Sequence, residues 1–229
     1  PVGSGQYRKV NAAYANAIAN GDSPRRAAGA AARSIGAALG VPVHGWMTVD
    51  FGGFRDLVDA LGGVEVDVQR TFTARYPRND DPTVDARWKK VKFEKGPTTM
   101  DGERAIQYAR ARYSANTVEG SDFGRAARQQ RLVAAIKDKL LSPVGIFKGF
   151  AVADAVEDDI RTNVSAGDLA RIFRQSVDPD DSVVLSESNV LMSATSSDGQ
   201  YILLPQGEDW TALHQFVRAS LQANHTARR

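Results

Sequence analysis

Residues 41–68 read VPVHGWMTVDFGGFRDLVDALGGVEVDV, and this stretch decides the fold class. Its first ten residues favour a strand, and residues 51–61 carry apolar side chains at the spacing of one helix face. The pair Gly62-Gly63 then ends the helix, because glycine readily adopts the left-handed conformation of a helix C terminus. Residues 64–68 alternate between valine and an acidic residue, which is typical of a half-exposed strand. Together these elements predict an α/β protein (α+β, with a mixed sheet flanked by helices).

The composition is that of an ordinary globular protein. The 229 residues are 42% hydrophobic and 24% charged, and no linker divides them, so we expect a single domain over residues 1–229. The formal net charge of +2 argues against a strongly basic nucleic-acid-binding protein. The absence of cysteine excludes disulfides, thiolate nucleophiles and cysteine-ligated metals. The sequence shows no signal peptide, and no apolar run approaches the roughly 18 residues that span a membrane.

Further elements are predicted on both sides of this unit. Capping residues and breakers predict helices over residues 24–39, 101–110 and 210–221, a helix after Ser142-Pro143, and a capping box at residues 165–168. Apolar runs predict strands near residues 183–185, 190–192 and 201–204. The proline-punctuated, basic residues 70–99 are expected to form a long loop. It is either a solvated surface, a lid over a site, or a contact with an anionic polymer.

Residues 110–141 carry charge where a helix should face the core. At about 100° per residue, Asp122, Arg125 and Gln129 share one face of the helix. The same stripe continues into apolar residues that we expect to face the core, namely Val133, Ile136 and Leu140. Unpaired charge on a buried face is costly, so these groups either satisfy one another or line a site. We favour a site, because Arg110 and Arg112 add positive charge just upstream.

Arginines in this number favour a ligand with more than one phosphate. The guanidinium is a rigid fork of donors that matches phosphate bidentately and stays charged at any relevant pH. Four such groups, Arg110, Arg112, Arg125 and Arg128, indicate pyrophosphate. Asp122 could hold an arginine, ligate a divalent cation, or accept a proton from an attacking hydroxyl. A packing ion pair, the alternative, would explain one arginine more easily than four.

Other catalytic chemistry finds no support in the sequence. The three histidines, His44, His214 and His225, lie in no nucleophile motif, and we interpret them as structural or incidental. There is no HExxH helix, no Walker A loop, and no GxGxxG after a strand. An anion-binding site therefore remains the main chemical prediction.

Four segments carry a resemblance to a known family. They are KVNAAYA (9–15), VDFGGFRDLVDALGGVEVDV (49–68), MDGERAIQYARAR (100–112) and DFGRAARQQ (122–130). In this order, over residues 9–141, the sequence resembles the LytR-CpsA-Psr family of cell-envelope glycopolymer phosphotransferases. Residues 142–229 are then expected to be covering helices and strands.

The resemblance implies a function and a location. Members of the family transfer a glycopolymer, such as arabinogalactan (in actinobacteria), teichoic acid or capsule, from a polyprenyl-pyrophosphate carrier to peptidoglycan. They use Mg²⁺ or Mn²⁺ and are membrane-anchored at the extracytoplasmic face of the plasma membrane. The family's first strands, which supply metal-binding acids and a further arginine, and its membrane helix are expected upstream of this chain. The resemblance therefore implies no metal ligand within residues 1–229.

The resemblance also implies roles for individual residues. A pyrophosphate would be held by Arg110, Arg112, Arg125, Arg128 and Gln129, with Lys9 adding a phosphate contact. Asp122, Arg110 and Arg125 are the expected catalytic residues. The polyprenyl chain needs an apolar groove, and Phe51, Phe54, Leu57 and Val58 could form its wall or could equally be core.

Two other functions remain as alternatives. One is a non-catalytic module that binds lipid-linked pyrophosphate, which would need the phosphate-binding residues but not the metal acids. The other is a nucleic-acid-binding regulator, suggested by the arginine-bearing helix. The near-neutral charge and the absence of a helix-turn-helix pattern argue against the regulator, so we expect no nucleic-acid partner.

Overall fold

The computed structural model describes residues 9–10, 12–78, 87–112, 114–143, 145, 159–175 and 185–226. Within them the elements follow in the order α1 (Ala12–Ala19), α2 (Pro24–Leu39), β1 (Met47–Val49), α3 (Phe51–Ala60), β2 (Val64–Val68), β3 (Phe72–Pro77), β4 (Trp88–Phe93), β5 (Gly96–Met100), α4 (Gly102–Arg110), α5 (Thr117–Gly120), α6 (Asp122–Leu141), β6 (Ile160–Thr162), α7 (Ala166–Gln175), β7 (Leu191–Thr195), β8 (Tyr201–Pro205) and α8 (Trp210–Thr226). The mixed α/β class predicted from the sequence is confirmed. The described strands form small two-stranded sheets, β1–β6, β2–β5, β3–β4 and β7–β8.

The chain divides into two compact units. The first contains Pro1–Thr48, Arg161–Leu169 and Asp181–Arg229, and the second contains Val49–Ile160 and Ala170–Asp180. The expectation of one domain over the whole chain stays a prediction. No described helix has both the length and the apolarity needed to cross a bilayer.

Most of the stretch that decides the fold class, residues 49–68, belongs to the second unit. Asp50 caps α3 by accepting a hydrogen bond from the Gly53 amide at 2.9 Å, and Gly63 ends the turn after α3 with a φ of +85°. Strand β2 alternates buried and exposed residues as predicted, and it pairs antiparallel with β5, Val64 opposite Met100. The core of this unit includes Val58, Leu61, Val64, Val66, Val68, Met100 and Tyr108.

The loop predicted over residues 70–99 is wrong in the part that the structure describes. Strands β3 and β4 form an antiparallel hairpin with Phe72 opposite Phe93, and β5 follows directly. Residues 79–86 lie outside the described part. The hairpin's inner face is apolar, since Phe72 and Phe93 stack with ring centroids 5.1 Å apart and both are buried. The many basic residues on its other face concealed this alternation in the sequence.

Helix α4 is positioned by its first two residues. The Asp101 side chain caps it by accepting from the Arg104 amide at 2.7 Å, as the acidic residue at its start led us to expect. A Cβ on Gly102 would overlap the backbone of Arg55, so glycine permits the close approach of α4 to α3. The Gly102 amide also donates to Asp59 Oδ1 at 2.8 Å. These contacts fix the direction in which α4 carries Arg110 at its end.

The buried face of α6 differs from the predicted stripe. Val133, which was expected to face the core, has 61% of its surface exposed, whereas Leu132 is 2% exposed. Ile136 is buried and Leu140 packs against the core, as predicted. The face that packs inward is therefore the one that carries Arg128 and Leu132. It is rotated about the helix axis from the predicted stripe by roughly half of the 100° that separates successive residues.

The first unit confirms several predicted elements. Helix α2 begins after the Ser23 cap, with Pro24 in its first turn, and ends at Gly40, whose φ is +68°. Strands β7 and β8 form an antiparallel pair, and α8 extends the predicted last helix to Thr226. The strand predicted over residues 41–50 is confined to β1. The predicted strand residues 183–184 and the body of the helix after Ser142-Pro143 lie outside the described residues.

Candidate anion-binding site

One carboxylate joins two of the predicted arginines in the second unit. Asp122 Oδ1 lies 3.2 Å from Arg112 Nη2 and 2.6 Å from Arg125 Nη1. The Asp122 and Arg112 side chains are more than half exposed, and Arg125 is 24% exposed. The structure therefore brings these three residues together at the surface.

The start of α6 places this cluster. Ser121 caps the helix by accepting from the Gly124 amide at 2.9 Å, which puts Asp122 in the first turn. A Cβ on Gly124 would overlap the Val118 carbonyl, so glycine allows α5 to pack against α6 there. A helix N terminus carries partial positive charge, which adds to that of Arg112 and Arg125.

Arg110 is held by two aromatic side chains. Its guanidinium carbon lies 3.8 Å from the centre of the Phe51 ring, and its Nη1 donates to the Tyr76 hydroxyl at 3.1 Å. Tyr76 is buried, so its ring has one position, and stacking on Phe51 further restricts the guanidinium. Tyr76 carries no local signal of a site residue, because the basic, proline-punctuated sequence around it favours a loop over a strand.

Arg125 combines a close ion pair with an unsatisfied donor. Its Nη1 is shielded from solvent and lies 2.6 Å from Asp122 Oδ1, yet it makes no hydrogen bond with suitable angles to any residue that the structure describes. The Coulomb attraction between the two charges depends on their separation alone, whereas a hydrogen bond also needs the N–H to point at the acceptor. The contact is thus a close ion pair made by a nitrogen that solvent does not reach.

Arg128 is a structural residue, which corrects its predicted assignment to pyrophosphate. It is 0% exposed, and its Nη1 donates to Glu119 Oε2 at 2.7 Å. The remaining nitrogens donate to main-chain carbonyls, Nε to Tyr108 at 3.0 Å and Nη2 to Ala111 at 2.5 Å. A guanidinium with its donors directed at buried acceptors has none to offer a ligand. The sequence could not separate it from Arg125, because its acceptors come from other elements.

Gln129 and Lys9 are both exposed. Gln129 Nε2 donates to the Ala109 carbonyl at 3.3 Å, so the amide lies beside the last turn of α4, which carries Arg110. Lys9 precedes α1 in the first unit. Its predicted phosphate contact stays a prediction.

A second polar cluster lies between α3, β4 and α4. Glu103 accepts from Arg55 Nε at 2.8 Å, from Lys89 Nζ at 3.1 Å and from Gln107 Nε2 at 2.6 Å. Burial by itself would raise the pKa of Glu103, but these hydrogen bonds, with that of Gln107 the largest, lower it below its ordinary value of 4.5. Lys89 also lies 5.6 Å from the centre of the Tyr76 ring. The Glu103 cluster therefore places Lys89 beside Tyr76, the β3 residue whose hydroxyl accepts a hydrogen bond from Arg110.

The residues considered for an apolar groove divide between core and surface. Val58 is fully buried, and Phe54 and Leu57 pack against the same core. Phe51 is 45% exposed and lies against Arg110. Of the four, Phe51 alone offers an apolar surface beside the arginines.

The described residues do not fit a metal site by themselves. Among them no group of three or more histidine or acidic residues could hold a metal ion. Asp122, the carboxylate of the cluster, is engaged through Oδ1 by two guanidiniums. Cations already occupy the position that Mg²⁺ would need at this oxygen.

The second unit is a mixed α/β unit in which arginines cluster at a helix N terminus, and this arrangement is a candidate anion-binding site. Residues 2–216 match the model of the LytR_cpsA_psr family, and the chain belongs to this family. The resemblance seen in the four sequence segments is thereby confirmed.

Curated relatives support the same family. The chain is 32% identical over 126 residues to the polyisoprenyl-teichoic acid–peptidoglycan teichoic acid transferase TagV of Bacillus subtilis (strain 168), which covers 55% of this chain and 30% of TagV. It is 28% identical over 170 residues to the enzyme of the same description, TagU, of Enterococcus faecalis (strain ATCC 700802 / V583), which covers 74% of this chain and 48% of TagU. The matched region thus spans less than half the length of either relative.

Solved structures show the same fold. The crystal structure of B. subtilis TagV aligns with a TM-score of 0.65 at 24% identity, over 96% of this chain and 77% of that one. The structure of TagT bound to LI-WTA aligns with a TM-score of 0.61 at 22% identity, over 94% of this chain and 72% of that one.

Proposed function

We propose that this chain carries the pyrophosphate-binding site of a phosphotransferase that attaches a glycopolymer from a polyprenyl-pyrophosphate carrier to peptidoglycan. The observation that carries the proposal is the surface cluster in which Asp122 joins Arg112 and Arg125. Family membership and relatives described as teichoic acid transferases support it. The proposal includes a location in the cell envelope, at the extracytoplasmic face of the plasma membrane, with a membrane anchor.

The arginines would bind and polarise the donor. Arg110, fixed between Phe51 and Tyr76, and Arg125, whose side chain is 24% exposed beside Asp122, would donate to the non-bridging oxygens of the pyrophosphate. In the reaction, a sugar hydroxyl of peptidoglycan attacks the phosphorus that bears the polymer. The bond from this phosphorus to the bridging oxygen breaks, and that oxygen leaves with the electron pair as polyprenyl phosphate. Guanidiniums placed at these oxygens stabilise the charge that develops on the leaving phosphate.

Asp122 has two roles in the proposal. It orients Arg112 and Arg125, since both guanidiniums contact the same carboxylate oxygen. It is also the cluster's candidate base for the proton of the attacking hydroxyl. The second role requires the carboxylate to exchange an arginine contact for the hydroxyl.

A divalent cation, Mg²⁺ or Mn²⁺, is part of the proposal. Such an ion would neutralise phosphate charge. The described residues supply no complete ligand set, so its ligands are not assigned. Transfer measured with and without Mg²⁺ tests the requirement directly.

A second candidate function is a non-catalytic module that binds lipid-linked pyrophosphate. It is favoured by the arginine cluster together with the absence of a metal cluster among the described residues. Titration calorimetry with a polyprenyl pyrophosphate, followed by an assay for product joined to peptidoglycan, separates the two functions. Binding with product formation supports the transferase. Binding without product, even with Mg²⁺ present, contradicts the transferase and supports the module.

A further inference from the structure

The outer face of the β3–β4 hairpin carries a row of cations that begins at the candidate site. Arg75 is directly opposite Lys90 in the hairpin register, and an antiparallel bridge pairs Arg75 with Arg112 on its other side. Residues directly opposite each other in antiparallel strands project to the same face, and neighbouring strands are about 4.8 Å apart. Three cations therefore lie side by side, and Arg112 belongs to both the row and the Asp122 cluster. We call Arg75, Lys90 and Arg112 the cationic row.

The hairpin strands supply no acid to balance this row. Strands Phe72–Pro77 and Trp88–Phe93 contain four basic residues and no acidic residue. Lys89, on the inner face, pairs with Glu103, and Lys92 pairs with Glu94 at 2.6 Å. Lys90 forms no ion pair with any residue in the described part of the chain. Like charges placed directly opposite each other are destabilising, so the pairing of Arg75 with Lys90 favours an anion that binds both.

An aromatic ring lies along the same face. The Arg75 guanidinium carbon is 5.5 Å from the centre of the Trp88 ring, and Trp88 is half-buried. A cation–π contact keeps a guanidinium flat against the ring while its edge remains able to donate. The face thus combines phosphate donors with an apolar ring that can contact a sugar or polyol.

We propose that the cationic row is a binding track for the phosphate groups of the polymer attached to the pyrophosphate. The row is continuous with the candidate site through Arg112, so a chain leaving the pyrophosphate can follow it across β3 to β4. A line of cations suits an extended polymer with repeated phosphates. A membrane surface would be met by cations spread over a broad area. This track rests on the proposed function, because that function places the pyrophosphate beside Arg112.

Binding of the full chain to probes of increasing length tests the track. The probes are inorganic pyrophosphate and poly(glycerol phosphate) oligomers of two lengths, with affinities measured at several salt concentrations. The double variant R75Q/K90Q is compared with R25Q/R26Q, which removes the same charge from exposed positions of α2 in the first unit. We expect R75Q/K90Q to raise the ratio of oligomer Kd to pyrophosphate Kd by about 30-fold at low salt, and more for the longer oligomer. The salt dependence of oligomer binding should also fall by about 1.5 in log–log slope.

Three outcomes would overturn the track. One is an equal loss of oligomer binding in R25Q/R26Q, and another is a loss that does not grow with oligomer length. The third is unchanged oligomer binding together with lost binding to vesicles of phosphatidylglycerol and phosphatidylethanolamine, which would assign the row to the membrane. These experiments measure binding and not transfer. A chain that binds oligomers along the cationic row but does not transfer them would contradict the proposed transferase and leave the track intact.

Discussion

Arg128 Nη1 lies 2.7 Å from Glu119 Oε2, and both side chains are buried. The pair links α6 to α5, and the same guanidinium donates to the carbonyls of Tyr108 and Ala111 at the end of α4. The last turn of α4, the turn after it and the start of α6 are thus fixed by one side chain. These are the segments that carry Arg110, Arg112 and Asp122.

Replacing Arg128 should unfold the site. We expect Arg128→Ala to lower the free energy of unfolding by about 3–5 kcal/mol, because it leaves the buried Glu119 carboxylate with only the more distant Arg70 guanidinium, 3.7 Å away, as a partner. Urea denaturation followed by circular dichroism measures the change. Arg125→Ala is the comparison on the same helix, and its exposed ion pair should contribute at most about 1 kcal/mol. Equal losses in the two variants would contradict the distinction between a structural and a ligand-binding arginine.

Replacing Arg110 or Arg125 should abolish function without unfolding the chain. We expect Arg110→Ala and Arg125→Ala to weaken pyrophosphate binding by at least about tenfold each, because each removes a charged donor. Calorimetric titration of each variant, with its melting temperature, provides the measurement. Arg25→Ala, on the exposed surface of α2, is the matched control. If the loss of pyrophosphate affinity in each variant is accompanied by a large drop in melting temperature, the arginines are structural ion-pair partners.

Removing one hydroxyl group tests how Arg110 is positioned. Tyr76→Phe keeps the ring but removes the acceptor of the Arg110 Nη1 hydrogen bond. We expect the free energy of unfolding to fall by about 1 kcal/mol and pyrophosphate binding to weaken about fivefold. Tyr201→Phe removes a hydroxyl from an exposed tyrosine of β8 and serves as the control. Unchanged pyrophosphate affinity in Tyr76→Phe would show that the Tyr76 hydroxyl does not position Arg110.

Neutralising Asp122 should affect binding and transfer in opposite directions. Asp122→Asn removes a negative charge next to Arg112 and Arg125, so pyrophosphate should bind more tightly, by about twofold to tenfold. Transfer should slow, because the same change removes the candidate base and loosens the two guanidiniums. Calorimetry and a transfer assay on one preparation measure both effects. Weaker binding together with slower transfer would indicate that Asp122 acts by orienting the arginines.

The Glu103 cluster should make stability depend on acid pH. Its hydrogen bonds with Gln107, Arg55 and Lys89 hold the folded pKa of Glu103 below the ordinary value of 4.5. The stabilisation is therefore present above pH 4.5 and is lost as the pH falls through the folded pKa. Glu103→Gln should remove this part of the pH dependence. Melting temperatures of the unmodified protein and of Glu103→Gln, measured between pH 3 and pH 7, check this prediction. Parallel plots of melting temperature against pH for the two proteins would contradict it.

Local signals in the sequence predicted the helices well. Ser23 and Asp101 cap α2 and α4, and Gly40 ends α2, because a cap depends on residues within one turn of the helix end. The hairpin of β3 and β4 was missed. Its paired residues lie between 11 (Pro77 and Trp88) and 21 (Phe72 and Phe93) positions apart in sequence, and the charged residues of one face conceal the apolar residues of the other.

The sequence by itself determined the α/β class, the family resemblance and the concentration of arginines between residues 110 and 128. The tertiary structure decided what each arginine does. Arg125 and Arg128 are three residues apart on one helix, but Arg125 reaches the surface beside Asp122, whereas Arg128 is enclosed by Glu119 and three carbonyls. A guanidinium is available to a ligand only if the surrounding chain leaves its donors unsatisfied. That condition depends on segments distant in sequence, so only the folded chain can meet it.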